Sequence, residues 1–229
     1  MVKNLLVLRN ETSLQNTKDV FSYGNIDAYY EKISTSKSLN IDLSNIEADI
    51  VLITSQNSLD VVESNIEWFN FKKVYCLNSH IAKKVKAVKI KKLNWNNTKE
   101  LAKYIIDNES ADQKIVHLCA DNANKLFYKP LEENGFKVNA INAYETSFVS
   151  DLPVDIISKL KNFEINNIMI FSKASLNALK EIFAKHNLKL EDYDFICFSK
   201  RIAEGLSQYY AKTSTLDEML DIYLKKDKQ

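Results

Sequence analysis

Polar residues follow several short apolar runs of this chain, and their side chains could bind an anion. All are Ser, Thr, Asn, Lys or Arg, which donate hydrogen bonds to carboxylates and phosphates. For the hydroxyl and amide residues, capping of the following helices is an alternative role. The set predicts a site for an acidic small molecule. The candidate binding residues are Arg9, Thr54, Ser55, Asn57, Asn78, Ser79, Ser172, Lys173, Ser175, Ser199, Lys200 and Arg201.

The two arginines of the chain support this prediction. Lysine and arginine together number 31, and only Arg9 and Arg201 are arginine. Both stand where an apolar run gives way to a polar turn. A guanidinium can hold a carboxylate with two parallel hydrogen bonds, whereas a lysine ammonium acts as a point charge.

The turns belong to a pattern that occurs twice. In residues 48–59 and again in 165–176, an apolar run enters a hydroxyl-rich turn and then an amphipathic segment. A second apolar run follows in each copy, with Cys76 or Cys197 near its end. The copies are too far apart for a solenoid, whose repeats are about 20–50 residues long. The pattern therefore predicts two similar α/β domains that face each other across a cleft.

Predicted strands and helices alternate along almost the whole chain. The polar run 34–38 is expected to be a linker, and Asn97 or Thr98 is expected to cap a helix that begins there. This alternation predicts domains that are each a parallel sheet flanked by helices, with ligands bound beyond the carboxyl ends of the strands. The expected strands are 2–8, 26–33, 50–54, 73–77, 88–93, 114–119 and 137–144, and the expected helices are 13–23, 58–70, 81–85, 98–107, 125–134, 155–161 and 216–224.

Composition excludes several classes of function. A net charge of +1 gives no general attraction for nucleic acid or an anionic membrane. No apolar run approaches the roughly 20 residues of a membrane-spanning helix. The three cysteines and three histidines are widely spaced, so no metal site is expected. We expect a cytoplasmic monomer without a cofactor, a nucleic-acid partner or a membrane partner.

In the order and spacing of its motifs, the chain resembles the uroporphyrinogen-III synthase family of tetrapyrrole biosynthesis. The similarity covers nearly the whole length. It rests on an opening strand that ends in Arg, a Thr-Ser-x-Asn loop, a Gly-x-x-Val…Tyr-x-Thr stretch and a Phe-Ser-x-Ser loop. The matching residues are Val7-Leu8-Arg9, then 53–58, 135–138 with 143–146, and 170–175.

The resemblance implies a fold of two domains joined by a two-stranded linker. Domain 1 would comprise 1–34 and 147–229, and domain 2 would comprise 37–143. The hinge linkers would be 33–37 and 143–147. Residues of both domains would then line the cleft between them.

The resemblance also implies a reaction. Hydroxymethylbilane, a linear tetrapyrrole with eight carboxylates, would lose water and close to uroporphyrinogen III with inversion of its last ring, ring D. No cofactor would be needed. Tyr144 would assist departure of the hydroxyl group, because a phenol can donate a proton or a hydrogen bond at neutral pH. Aromatic packing beside the hinge is the alternative role for Tyr144.

Two turns depart from the family pattern. The family's Gly-x-x-Thr-Ala sequence corresponds here to 78–82 and 199–203, where the Gly is missing and Ile81 and Ile202 replace Thr. An isoleucine cannot hydrogen-bond a carboxylate. Two hypotheses follow: a synthase with diverged binding loops, or a non-catalytic member that binds an acidic small molecule or a protein partner in the same cleft.

Overall fold

A computed structural model describes residues 4–23, 28–65, 70–77, 79–85, 90–91, 95, 97–121, 123, 125–206, 209–211 and 216–226. The chain divides into two compact units: unit 1 comprises 1–36 and 147–229, and unit 2 comprises 37–146. Strands and helices alternate in both units, which confirms the α/β class.

The secondary-structure elements are numbered in chain order. The strands are β1 Leu5–Asn10, β2 Tyr29–Ser38, β3 Glu47–Ile53, β4 Asn70–Cys76, β5 Ile90–Lys91, β6 Lys114–Ala120, β7 Lys137–Phe148, β8 Asn167–Ile170, β9 Asp194–Cys197 and β10 Tyr209–Ala211. The helices are α1 Glu11–Tyr23, α2 Leu59–Asn65, α3 Ser79–Lys84, α4 Thr98–Asn108, α5 Tyr128–Glu133, α6 Val154–Lys161, α7 Lys173–His186, α8 Lys200–Ala203 and α9 Leu216–Lys226.

The two units carry equivalent parallel sheets. Unit 1 has the strand order β10-β9-β8-β1-β2, and unit 2 has the order β5-β4-β3-β6-β7. Neighbours within each of these orders pair in parallel. In unit 1, Ile170 pairs with Leu8 and Cys197, and in unit 2 Ile53 pairs with Leu118 and Cys76. The predicted repeat is therefore confirmed strand by strand.

Apolar side chains cover both faces of each sheet. In β1, Leu6 and Leu8 join the cluster beneath α6 and α7, while Leu5 and Val7 join the cluster with α1 and α9. Strand β3 alternates in the same way between two clusters of unit 2. A strand that is buried on both faces needs a continuous apolar run, which is the feature that made these strands recognisable in the sequence.

Three local expectations differ from the structure. The linker expected at 34–38 contains the boundary between the units but does not interrupt the strand. Strand β2 continues to Ser38, and the Asn10 side chain donates to the hydroxyls of Ser34 and Ser36, both at 3.1 Å. The expected helix 58–70 is too long, since α2 ends at Asn65 and Asn70 begins β4. Most of the expected strand 88–93 lies outside the described residues, which include only β5 there.

Two strands carry the chain from one unit to the other. Strand β2 begins in unit 1 and ends in unit 2, and β7 runs in the opposite sense. They are bonded to each other in both units, by Val149 N–H to the Ile33 carbonyl at 3.1 Å and by Leu39 N–H to the Ala143 carbonyl at 2.9 Å. The proposed hinge segments 33–37 and 143–147 thus lie within regular strands.

Candidate functional site

The polar turn after β3 supplies several hydrogen-bonding groups of unit 2. Ser55 caps the short 3-10 helix that follows, and its Oγ accepts a hydrogen bond from the Asn57 N–H at 3.2 Å. Thr54, Ser55 and Asn57 are all partly exposed. Capping uses the Ser55 oxygen as an acceptor, and the same hydroxyl is also hydrogen-bonded to Tyr144.

Tyr144 lies beside Ser55 at the same end of the unit 2 sheet. The pairing of β6 with β7 shifts register at this point, so that Ala120 stands opposite Tyr144. Burial raises the pKa of Tyr144 above its ordinary value, and hydrogen bonds from the Ser55 side chain and the Ala120 backbone only partly offset this effect. The phenol is therefore protonated at neutral pH. The contact with Ser55 joins two hydroxyl groups, either of which can be the donor.

The buried side chain of His117 contacts Thr54. The Nε2 of His117 lies 2.8 Å from Thr54 Oγ1, and its Nδ1 lies 2.5 Å from the Tyr128 hydroxyl. Burial, with a smaller contribution from the positive charge of Lys125, lowers the pKa of His117 to about 4. The imidazole is thus neutral at pH 7 and carries one hydrogen on one of its two nitrogens.

Unit 1 offers a cation at the equivalent sheet end. Arg9 is the penultimate residue of β1, and its guanidinium carbon lies 4.0 Å from the centroid of the Phe171 ring. Phe171 follows β8, and its ring lies 6.0 Å from that of Phe198, which follows β9. Burial lowers the pKa of Arg9 to about 10, so it remains charged at neutral pH. The Arg9 Nε is buried and has no hydrogen-bond partner among the described residues.

The serines and the lysine of the α7 turn are engaged in local contacts. Ser172 caps α7, with its Oγ accepting from the Ser175 N–H at 3.0 Å and lying 2.7 Å from the Ser175 hydroxyl. Ser175 is buried. The Lys173 ammonium donates to the Glu204 carbonyl at 2.8 Å, which ties this turn to the end of α8. These contacts favour a local structural role for both serines, with Ser172 as the capping residue and Ser175 as its partner within α7.

Three of the remaining candidate residues lie at the start of α8, and one begins α3. Ser199 caps α8 without a side-chain hydrogen bond to it, and Lys200 and Arg201 are exposed. Ser79 is the first residue of α3. Asn78 lies outside the described residues.

The two isoleucines that depart from the family pattern belong to the apolar core. Ile81 packs in a cluster of unit 2, and Ile202 packs in a cluster of unit 1. Both side chains are buried. Neither can replace the hydrogen bond of a threonine hydroxyl.

Sequence reasoning missed the His117–Tyr128 pair and the aromatic contact of Arg9. A signal for the first was present, because His117 interrupts an otherwise apolar strand and a buried polar group needs a partner. Its partners, however, come from β3 and α5, which are distant in sequence. The amide of Asn10, the last residue of β1, is bonded to Ser34 and Ser36.

The described residues contain neither a metal-binding cluster nor a membrane-spanning helix. No group of three or more His, Cys, Asp and Glu side chains there could hold a metal ion. Among the same residues, no helix is both long and apolar enough to cross a bilayer.

Taken together, the fold and these residues define a two-unit α/β protein with hydrogen-bond donors at the carboxyl end of each sheet. The family model described as uroporphyrinogen-III synthase HemD matches residues 29–221, and the chain belongs to this family. No curated protein matches the chain significantly.

Solved structures that share the fold include two uroporphyrinogen-III synthases. The uroporphyrinogen-III synthetase of Helicobacter pylori 26695 is 15% identical, with a TM-score of 0.65 over 98% of this chain and 99% of that one. A mutant uroporphyrinogen III synthase of Thermus thermophilus is 11% identical, with a TM-score of 0.60 over the same shares of the two chains. At these identities the likeness concerns the fold alone.

Proposed function

We propose that this chain is a uroporphyrinogen-III synthase, a lyase that closes hydroxymethylbilane to uroporphyrinogen III with loss of water and inversion of ring D. The family match supports the class of reaction. The observation that carries the proposal for this chain is the environment of Tyr144, a buried, protonated phenol opposite Ala120 that is hydrogen-bonded to Ser55. No metal or organic cofactor takes part in the proposed reaction.

Binding of the substrate is proposed to use the strand-end groups of each unit. The substrate carries eight carboxylates, and carboxylates bind best to arginine, to hydroxyl donors and to backbone N–H groups. In unit 1 the proposal assigns this role chiefly to Arg9, with Ser172, Lys173, Ser199, Lys200 and Arg201, and less to the buried Ser175. In unit 2 it assigns the role to Thr54, Ser55 and Asn57, with Asn78 and Ser79.

Tyr144 is the proposed catalytic residue. The carbon–oxygen bond of the hydroxymethyl group breaks, and the pyrrole nitrogens stabilise the positive charge that develops on the carbon. The departing hydroxyl takes a proton, or a strong hydrogen bond, from the phenol. A tyrosine with its ordinary pKa of 10.0 carries this hydrogen at neutral pH, and the raised pKa of Tyr144 keeps it there. The protein otherwise acts by folding the substrate into the conformation that leads to inversion.

A second candidate function is binding without catalysis. The buried side chains of Ile81 and Ile202 favour it, because each removes a hydroxyl that the family pattern places in a binding turn. Such a protein would bind an acidic small molecule or a protein partner through the same strand-end groups. It would still require Arg9, but Tyr144 would have only a packing role.

We also propose that the chain is a cytoplasmic monomer. Its cysteines Cys76, Cys119 and Cys197 are free and buried, and free thiols are typical of reducing compartments. Light scattering at micromolar concentration would test the monomer, and a dimer under those conditions would contradict it.

A coupled assay tests the proposed activity. Hydroxymethylbilane is generated in situ by its own synthase, this protein is added, and the oxidised uroporphyrin isomers are separated by chromatography. We expect the type III isomer to dominate, whereas a reaction without the protein gives type I. If the protein also yields only type I, the activity is refuted and the binding function is favoured.

A further inference from the structure

Arg9 is one of three neighbouring side chains at the carboxyl end of the unit 1 sheet. Arg9 and Phe171 each come one residue after the paired Leu8 and Ile170, so they are neighbours on adjacent parallel strands. Phe198 stands at the same level after β9, because the residue before it also pairs with Ile170. Residues at paired positions project from the same face of a sheet. The three side chains therefore form a row, Arg9–Phe171–Phe198, in agreement with their ring contacts.

The fold itself does not require this row. In unit 2, strands β6, β3 and β4 pair in the same way, and the residues at the corresponding positions are neither cationic nor aromatic. They are Cys119, Thr54 and Leu77. An arginine beside two phenylalanines is thus particular to unit 1, which points to a role in the candidate site of that unit.

The guanidinium of Arg9 is packed on an aromatic face and not against a carboxylate. Its central carbon lies 4.0 Å from the centroid of the Phe171 ring. Its Nε is buried and has no hydrogen-bond partner among the described residues. Burial lowers the pKa of Arg9 to about 10, and no neighbouring carboxylate among those residues raises it. Arg9 therefore carries a positive charge whose orientation is fixed by stacking and which has no internal anion.

The Phe171 ring is itself held in place. It packs against the apolar cluster of unit 1 that includes Val7 and Met169. The Phe198 ring lies 6.0 Å away at an interplanar angle of 37°. The Phe198 N–H also donates to the Ile170 carbonyl at 3.0 Å, which joins the ends of β8 and β9. A ring fixed in this way can define the position of a group that stacks on it.

We propose that Phe171 is a positioning residue whose ring holds the Arg9 guanidinium in the orientation that binds a substrate carboxylate. This role rests on the proposed function of the chain. A guanidinium binds a carboxylate best through two parallel hydrogen bonds, which require a defined orientation. Stacking removes part of the rotational freedom of the arginine before the ligand arrives, so less is lost on binding. The ring offers the charge a favourable face but no oxygen that competes with the carboxylate.

The stack can be observed without any activity. The chain has two arginines, Arg9 and Arg201, so a nitrogen–proton NMR spectrum contains two arginine Nε–Hε signals, which Arg201→Lys assigns. We expect the ring current of Phe171 to shift the Arg9 Hε signal upfield, and Phe171→Leu to remove this shift. Phe198→Leu, which removes the other ring of the row, is the matched control and should leave the shift in place. The proposal is overturned if the wild type shows no upfield shift, or if the two phenylalanine variants change it equally.

A double-mutant cycle tests whether Phe171 acts through Arg9. The probe is the oxidised product uroporphyrin III, whose affinity is measured by fluorescence titration. We expect Phe171→Leu to weaken binding about threefold, as for a lost cation–π contact, and by less than about 1.5-fold when Arg9 is already Met. Phe171→Tyr keeps the aromatic face and should bind with nearly the wild-type affinity. Phe198→Leu should also change the affinity by less than about twofold, because Phe171 still supports Arg9.

The two proposals can fail separately. An equal effect of Phe171→Leu in both backgrounds would mean that Phe171 contributes only to packing, and would overturn the positioning role. A wild type that does not bind uroporphyrin III would also overturn it. Formation of type I isomer alone, with Phe171 and Arg9 still coupled in binding, would refute the synthase activity but not the positioning of Arg9.

Discussion

The guanidinium carbon of Arg9 lies 4.0 Å from the centroid of the Phe171 ring, while the Nε of the same side chain is buried and has no hydrogen-bond partner among the described residues. A partly buried charge without a full set of partners lowers the stability of a fold. The contact with an aromatic face offsets part of this cost. We expect such an arrangement at a position where the arginine serves to bind an anion and contributes little to folding.

Substitution of Arg9 should therefore have opposite effects on stability and binding. We expect Arg9→Met to leave the free energy of unfolding unchanged or to raise it by roughly 1 kcal/mol, because an apolar chain of similar length replaces a partly buried charge. The same variant should bind uroporphyrin III at least tenfold more weakly. Circular dichroism melting and fluorescence titration measure the two effects. Arg9→Lys keeps the positive charge but cannot form two parallel hydrogen bonds to a carboxylate, and it should bind uroporphyrin III with intermediate affinity. Equal affinity in all three proteins would exclude Arg9 from the binding site.

Replacement of the Tyr144 hydroxyl should affect turnover more than folding. We expect Tyr144→Phe to lower kcat at least tenfold, toward the low end of the usual contribution of a general acid. Stability should fall by only about 1 kcal/mol, because the Ser55 and Ala120 donors lose one acceptor. Tyr193→Phe is a matched control, since its hydroxyl donates to the Leu160 carbonyl within the core of unit 1. That variant should lose stability with turnover unchanged. Full turnover in Tyr144→Phe would remove Tyr144 from the mechanism.

Local sequence patterns were sufficient for much of the fold but not for all of the site. The apolar run in β1 and the capping serines Ser55 and Ser172 are local features, and they were predicted correctly. The polar half of strand β2 was not predicted as a strand, because its partners, which include the Asn10 amide, lie outside any window of neighbouring residues. The hydrogen bonds of His117 to Thr54 and Tyr128 were missed for the same physical reason. A buried polar residue can be noticed in a sequence, but its partners are decided by tertiary packing.

The stability of unit 1 should depend on Asp151 at low pH. Its carboxylate contacts the Lys185 ammonium at 2.5 Å and His186 Nε2 at 2.7 Å. Hydrogen bonds from these two side chains lower the pKa of Asp151 from 3.8 to about 2. A depressed folded-state pKa stabilises the protein above the unfolded value, and this contribution is lost as the pH falls from about 3.8 to about 2. The melting temperature, measured by circular dichroism, should depend less on pH in Asp151→Asn than in the wild type between about pH 3.8 and about pH 2. Glu191→Gln, on the surface of the same unit, should keep the wild-type dependence of melting temperature on pH. If Asp151→Asn also shows the wild-type dependence, Asp151 does not contribute to stability in this pH range.

The stability of unit 2 should depend on His117 at mildly acidic pH. The pKa of His117 falls from 6.5 to about 4 on folding, chiefly by burial, so between these values the unfolded chain takes up a proton that the folded chain does not. Stability should therefore decrease as the pH falls from 6.5 towards 4, by up to about 3 kcal/mol at 1.36 kcal/mol per pKa unit.

Both tryptophans, at positions 68 and 95, belong to the 37–146 unit, so tryptophan fluorescence during urea denaturation reports on that unit. His117→Phe should be less stable at pH 7, because Thr54 and Tyr128 lose their partner, but its stability should change little between pH 6.5 and pH 4.5. His186→Gln, in unit 1, should retain the wild-type slope in the same fluorescence experiment. If His117→Phe and the wild type lose stability in parallel over this range, His117 is not held neutral by burial, and a different group must account for the acid sensitivity of unit 2.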